Sequence, residues 1–183
     1  LSANDILREG VDSVAEGIAK MKKLKVLKIT DNELGDAGVA KICVALQTSA
    51  AKLEELDVSC NEISKSGAEA VSKFAATSLK STIKKVNLDQ NWIQEDAIES
   101  IQKIFADAGL DSVLQSLEDN DPDGEPDEDE ADEVANLIAK LMVSRVEEKR
   151  RYRYLIGIKS TNMVEEVDVS VIACQSQKRI IEY

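Results

Sequence analysis

The chain has 183 residues, enough for one ordinary domain and a tail but not for two large domains. Its 35 acidic against 23 basic side chains give a net charge of −12, which speaks against nucleic acid or an anionic membrane as partner. Aromatics at 3% are too few for a base-stacking platform, and the absence of histidine excludes Ser-His and Cys-His nucleophile pairs, histidine zinc sites and imidazole bases together. Cys43, Cys60 and Cys174 are far apart, with no Cys-x-x-Cys spacing, and fit buried thiols in a reducing compartment. No run of 18 apolar residues occurs, so membrane insertion is not expected, and no nucleotide loop or other cofactor motif is present. The first residue is Leu1 rather than Met, which points to a piece of a longer protein.

From the N-terminus the chain repeats itself. Asn4, Asn32, Asn61 and Asn91 stand 28, 29 and 30 residues apart. Two positions after each lies Ile6, Leu34, Ile63 or Ile93, and six positions after lies Gly10, Gly38, Gly67 or Ala97. Offsets of seven, ten and fourteen give Val11, Val14 and Ile18, then Val39, Ile42 and Leu46, then Ala68, Val71 and Ala75, and last Ile98, Ile101 and Phe105. That spacing predicts a helix packed by one face in each copy.

Before three of the asparagines runs L-x-x-L-x-L-x-x-N: Leu24, Leu27, Ile29, Asn32; Leu53, Leu56, Val58, Asn61; Ile83, Val86, Leu88, Asn91. This is the leucine-rich repeat signature. The period-two alternation in it predicts a short strand with one face buried. Fold class is therefore α/β, a leucine-rich repeat solenoid over residues 1–117 with parallel strands on the concave side and helices on the convex side. One strand–helix unit cannot bury its apolar stripe alone, so neighbours stack and share a core. The asparagine side chains are expected to turn inward and satisfy backbone groups of the buried turn, and the glycines to permit close approach or a positive φ at the start of the helix.

The leucines and asparagines are read as scaffold. A partner is expected on the residues that the scaffold does not require. On the strands these are Lys28, Thr30, Asp57, Ser59, Asn87 and Asp89. On the strand-to-helix turns they include Asp31, Glu33, Glu62, Gln90, Trp92 and Gln94. Trp92, the only tryptophan, stands where the other copies carry Glu33 and Glu62, as a cap on the last repeat or as a partner hot spot. Cys60 is read as a small buried thiol.

Residues 118–133 hold eleven acids and no base, so nearly all of the net charge lies there. The plain reading is an acidic, disordered linker or tail kept open by self-repulsion. The alternative is a calcium loop, with Asp119, Asp121, Asp123, Gly124 and Glu130 at positions 1, 3, 5, 6 and 12 of the EF-hand template. Helix-like stretches flank it, Leu110, Val113, Leu114 and Leu117 before and Val134, Leu137, Ile138 and Leu141 after. Against it stand Pro126 at position 8, which has no N–H to pair with a second loop, and the lack of any second loop. Residues 134–183 form a segment of uncertain structure. It includes an amphipathic helix over 132–148, a basic cluster (Lys149, Arg150, Arg151 and Arg153) and two β-like runs at Tyr154–Ile158 and Val164–Ala173.

The repeats, with their N-x-[LI]-x-x-x-[GA] turns, resemble the ribonuclease-inhibitor type of leucine-rich repeat. Their junction with LEDNDPDGEPDEDEADE resembles the C-terminal part of the Ran GTPase-activating proteins, the plant forms most of all. The resemblance covers residues 1–133. It implies stimulation of GTP hydrolysis on Ran in its GTP form by protein–protein contact, in nucleocytoplasmic transport, by a regulator and not a self-contained enzyme. It also implies a cytoplasmic protein that reaches the nuclear envelope through an N-terminal targeting domain. The family's principal contact residues lie in earlier repeats, so no catalytic residue is carried onto this sequence. The alternative on the residues alone is a leucine-rich repeat adaptor or inhibitor.

Overall fold

The structure is a computed structural model that describes residues 1–4, 6, 8–124 (of residue 9 the backbone only) and 132–143. A 3-10 turn, Arg8–Gly10, leads into α1 (Val11–Ala19). Three strand–helix units follow: β1 (Val26–Lys28) and α2 (Gly35–Ser49), β2 (Glu55–Asp57) and α3 (Lys65–Ser78), β3 (Lys85–Asn87) and α4 (Glu95–Asp107). A fifth helix, α5, covers 132–143. The predicted helix over 132–148 is thus met as far as 143, and its last turn lies outside the described residues, as do Lys149, Tyr154–Ile158 and Val164–Ala173.

The strands form one parallel sheet in sequence order, with Leu27, Leu56 and Val86 side by side. The expected solenoid is what the chain forms. Leu27, Ile29, Leu56, Val58, Val86 and Leu88 are buried between sheet and helices. The helical offsets supply the other wall: Val39, Ile42 and Leu46, then Ala68, Val71 and Ala75, then Ile101 and Phe105 are all at most 2% exposed. Val14 and Ile98 sit at the edge of this core, half covered.

The asparagine ladder explains why each turn can be buried. The Asn32 Oδ1 accepts the backbone N–H of Asn4 at 3.3 Å and of Ile6 at 3.0 Å. Asn91 Oδ1 does the same for Asn61 at 2.8 Å and Ile63 at 3.2 Å. Each Nδ2 donates two residues back, Asn32 to Thr30, Asn61 to Ser59 and Asn91 to Asp89. The residue before each rung is left-handed: Ala3, Asp31, Cys60 and Gln90 all have φ between 52 and 57°. None is glycine, so every turn holds a conformation that costs roughly 1–2 kcal/mol outside its context.

Four expectations need correction. Asn4 keeps the local bond, Nδ2 to Ser2 O at 2.7 Å, but its side chain is exposed. Cys60 is half exposed rather than buried, since the left-handed turn carries it to the strand edge. Residues 110–117 are not helical. Leu114 bridges Val86 in parallel, with Val86 N–H donating to Val113 O at 2.9 Å and Gln115 N–H to Val86 O at 2.9 Å.

Residues 118–124, fourth, are not a disordered tail. Asn120, 29 residues after Asn91, is a further rung: its Oδ1 accepts the Asn91 N–H at 2.8 Å and its Nδ2 donates to Leu117 O at 3.1 Å. The chain passes from Leu114 to Asn120 with one residue more than from Val86 to Asn91, which displaces the leucines from the signature. The glycines act by close approach. A β-carbon on Gly38 would lie 3.2 Å from Val11, and one on Gly67 would lie 2.9 Å from the Asp36 Cα, while neither has a positive φ.

Candidate protein-binding surface

The sheet's outer face is built from the residues that alternate with the buried leucines. Its first row is Val26, Glu55 and Lys85, and its second is Lys28, Asp57 and Asn87. Thr30, Ser59 and Asp89 follow towards the turns. Lys28, Asp31 and Glu33 are exposed, and Thr30, Glu62, Asn87, Asp89 and Trp92 are half-buried. Asp57 and Ser59 are buried and bonded to each other, the Ser59 hydroxyl donating to Asp57 Oδ1 at 2.8 Å. The expected contact residues therefore share one face and its rim, but two of them are tied into the structure.

The face is electrically graded. At the strand starts, Glu54 is held between Lys25 at 2.7 Å and Lys84 at 2.6 Å, and Glu55 between Lys28 at 2.8 Å and Lys85 at 3.8 Å. Hydrogen bonds from Lys25 and Lys84, and then their charges, pull the Glu54 carboxyl down to about 2. The Lys28 hydrogen bond pulls Glu55 down as well. Sequence reasoning missed these pairs. Their signal was present, since Lys25, Glu54 and Lys84 repeat at the ladder's own spacing.

Past the strands the acids dominate, with Asp31, Asp89 and Asp119 near the turns and Asp57 beside Lys28 in the row before them. Asp89 Oδ1 accepts the Asp119 N–H at 3.1 Å. Cys60 lies near these turns and donates from Sγ to Gln90 Oε1 at 2.9 Å. Burial first, and then the negative charges of Asp31 and Asp57, push its thiol up. That is the wrong direction for a nucleophile. Buried Cys43 is pushed up further by burial alone.

Trp92 is packed over by Gly124, where any β-carbon would run into the indole. The acidic stretch thus begins by covering the tryptophan. The calcium reading loses its incoming helix, because 110–117 is a turn and a bridge. Asp121 Oδ1 accepts the Asp123 N–H at 3.0 Å and Asp119 faces Asp89, while Glu130 lies outside the described residues. No group of three or more Cys, Asp or Glu side chains suited to a metal ion occurs among the described residues. A cleft of about 540 Å³ lies at the last repeat, lined by Phe105, Leu114, Glu99 and Lys103, away from the graded face. No helix among the described residues is long and apolar enough to cross a membrane.

The arrangement presents an extended, largely polar surface along the outer face of the sheet. Comparison with known proteins bears on the repeats. The leucine-rich repeat family model matches residues 20–43 and 49–72. Over 122 residues, 67% of this chain, the sequence is 33% identical to Ran GTPase-activating protein 2 of Arabidopsis thaliana. The chain is a leucine-rich repeat solenoid like that of a Ran GTPase-activating protein. It spans 22% of the length of that relative. In this RanGAP-like solenoid, Lys28, Asp31 and Glu33 are the candidate contacts whose replacement disturbs the scaffold least, being exposed.

Proposed function

We propose that this chain is the repeat-and-acidic-segment part of a GTPase activator for Ran, and that its graded strand face contacts Ran in the GTP form. The observation that carries the reading is the 33% identity to Ran GTPase-activating protein 2. The supporting physics is that a sheet face with paired lysines and glutamates at one edge and carboxylates such as Asp31, unpaired among the described residues, towards the other fixes the orientation of a partner of complementary charge. The role is regulatory, in the cytoplasm and at the nuclear envelope. The chain positions groups of the GTPase and supplies no nucleophile of its own.

The test has two readouts, association with Ran bound to a non-hydrolysable GTP analogue or to GDP, and single-turnover hydrolysis by GTP-loaded Ran. The chain is expected to prefer the GTP form and to stimulate hydrolysis only feebly, because the family's main contacts lie in earlier repeats. Reversing Asp31 and Glu33 to Lys is expected to weaken association at least tenfold, about 1.4 kcal/mol. Equal, undetectable binding to both forms overturns the proposal. Tight association with no effect on hydrolysis, even in a longer protein carrying more repeats, turns the reading to an adaptor or inhibitor.

A further inference from the structure

Helix α5 does not belong to the repeat pattern, yet its first ten residues fold within the same compact unit as the repeats, which runs to Leu141. Val134 and Leu137 are buried together with Ala37, Ala40 and Ala70, and Val44 and Ile138 pack at the rim of this cluster. Three of the five buried members are alanines, from α2 and α3. Small side chains there leave a groove between two helices that a third can enter. Its contacts are set by sequence: Val134, Leu137 and Leu141 follow the i, i+3, i+7 spacing of a helix that docks by one face.

Polar contacts fix the register at both ends. Glu133 Oε1 lies 3.2 Å from Lys41 Nζ, and Lys41 also holds Asp12 of α1 at 3.1 Å. Two turns further along, Gln47 Nε2 donates to the Leu141 carbonyl at 3.1 Å. The described parts of the acidic stretch are thus tied down, Asn120 and Gly124 against the last repeat and Glu133 on Lys41.

We propose that the groove between α2 and α3 is a helix-docking site whose resident is the chain's own segment 132–141, held as a displaceable latch. A tethered helix of this kind faces its groove at an effective concentration on the order of millimolar. A separate peptide of the same pattern competes poorly until the latch is released. The proposal is independent of the GTPase reading, since none of its residues lies on the strand face.

The test uses the full 183-residue chain and a labelled synthetic peptide of residues 131–143. Amides of 135–141 are expected to be protected from hydrogen exchange in the unaltered chain. In the double variant Val134→Asp, Leu137→Asp that protection is expected to vanish while the β1–β3 amides keep theirs. The peptide is expected to bind the double variant at least tenfold more tightly than the unaltered chain. Adding Ala40→Glu, or Ala70→Glu should the first variant lose its β-sheet protection, is expected to abolish that binding. Unprotected 135–141 amides, equal peptide binding to both chains, or binding indifferent to both glutamates each overturn the proposal. A dimer by light scattering that the double variant abolishes overturns it too, because the resident would then be a second copy.

Discussion

Asn61 and Asn91 hold equivalent places one repeat apart, yet their side chains carry different loads. Asn91 accepts two backbone N–H groups and donates to the carbonyls of Val58, Leu88 and Asp89. Asn61 donates to Ile29 and Ser59, but its Oδ1 is buried with no partner among the described residues. The cause is the turn after Asn32. There Gly35 is left-handed at φ 62°, Gly35 N–H reaches the Asn61 backbone carbonyl at 3.1 Å, and Asn32 N–H turns to Cys60 O. Replacing Asn61 with Leu is expected to cost ~1–3 kcal/mol, and replacing Asn91 with Leu at least about 1 kcal/mol more, since each stranded backbone group adds its own penalty. Urea denaturation of the two variants measures the difference, and equal costs would contradict the division of labour. The inward asparagines were legible because their spacing is rigid. The orphaned oxygen was not, because it depends on which residue of a neighbouring turn goes left-handed.

Between strands, the units are tied by charge as well as by leucine. Glu54, bound by lysines from both flanking repeats, has a folded-state carboxyl at about 2 against an ordinary value of 4.5. Over that interval the folded chain holds fewer protons than the unfolded one, so stability rises with pH. The contribution is complete above about 4.5 and is lost as pH falls towards about 2. Thermal midpoints recorded from neutral to strongly acid pH are expected to fall in this window, and Glu54→Gln is expected to flatten that part of the curve. A variant with an unchanged profile would show that the two lysines contribute nothing. The elements themselves were readable from period two and period 3.6. The strand bridge at Leu114 escaped because one inserted residue before Asn120 broke the leucine spacing, so an apolar run of the right length passed for a helix. Helix α5 was readable as a helix, but its seat was not. The alanines that receive it carry no periodic signal and lie away from the faces that the repeats bury.

Across the whole molecule the charge is lopsided, with eleven acids confined to 118–133 and the rest of the chain near neutrality. Such a field mainly steers encounter rather than holding a complex together. Under the proposed function, the association rate with Ran is therefore expected to fall several-fold as ionic strength rises from about 50 to about 300 mM, with little change in the dissociation rate. Stopped-flow measurement checks this, and a salt-independent association rate would assign the acids no steering role.

The Leu114 bridge and the Asn120 rung bear on a different hazard. A parallel sheet left open after β3 would offer unpaired amides to any extended segment that drifted past, including another molecule of its own kind. Here the last strand meets only a single bridge, and the backbone then turns into consecutive carboxylates. Like charge facing like charge there disfavours pairing of this margin with the same margin of a second molecule.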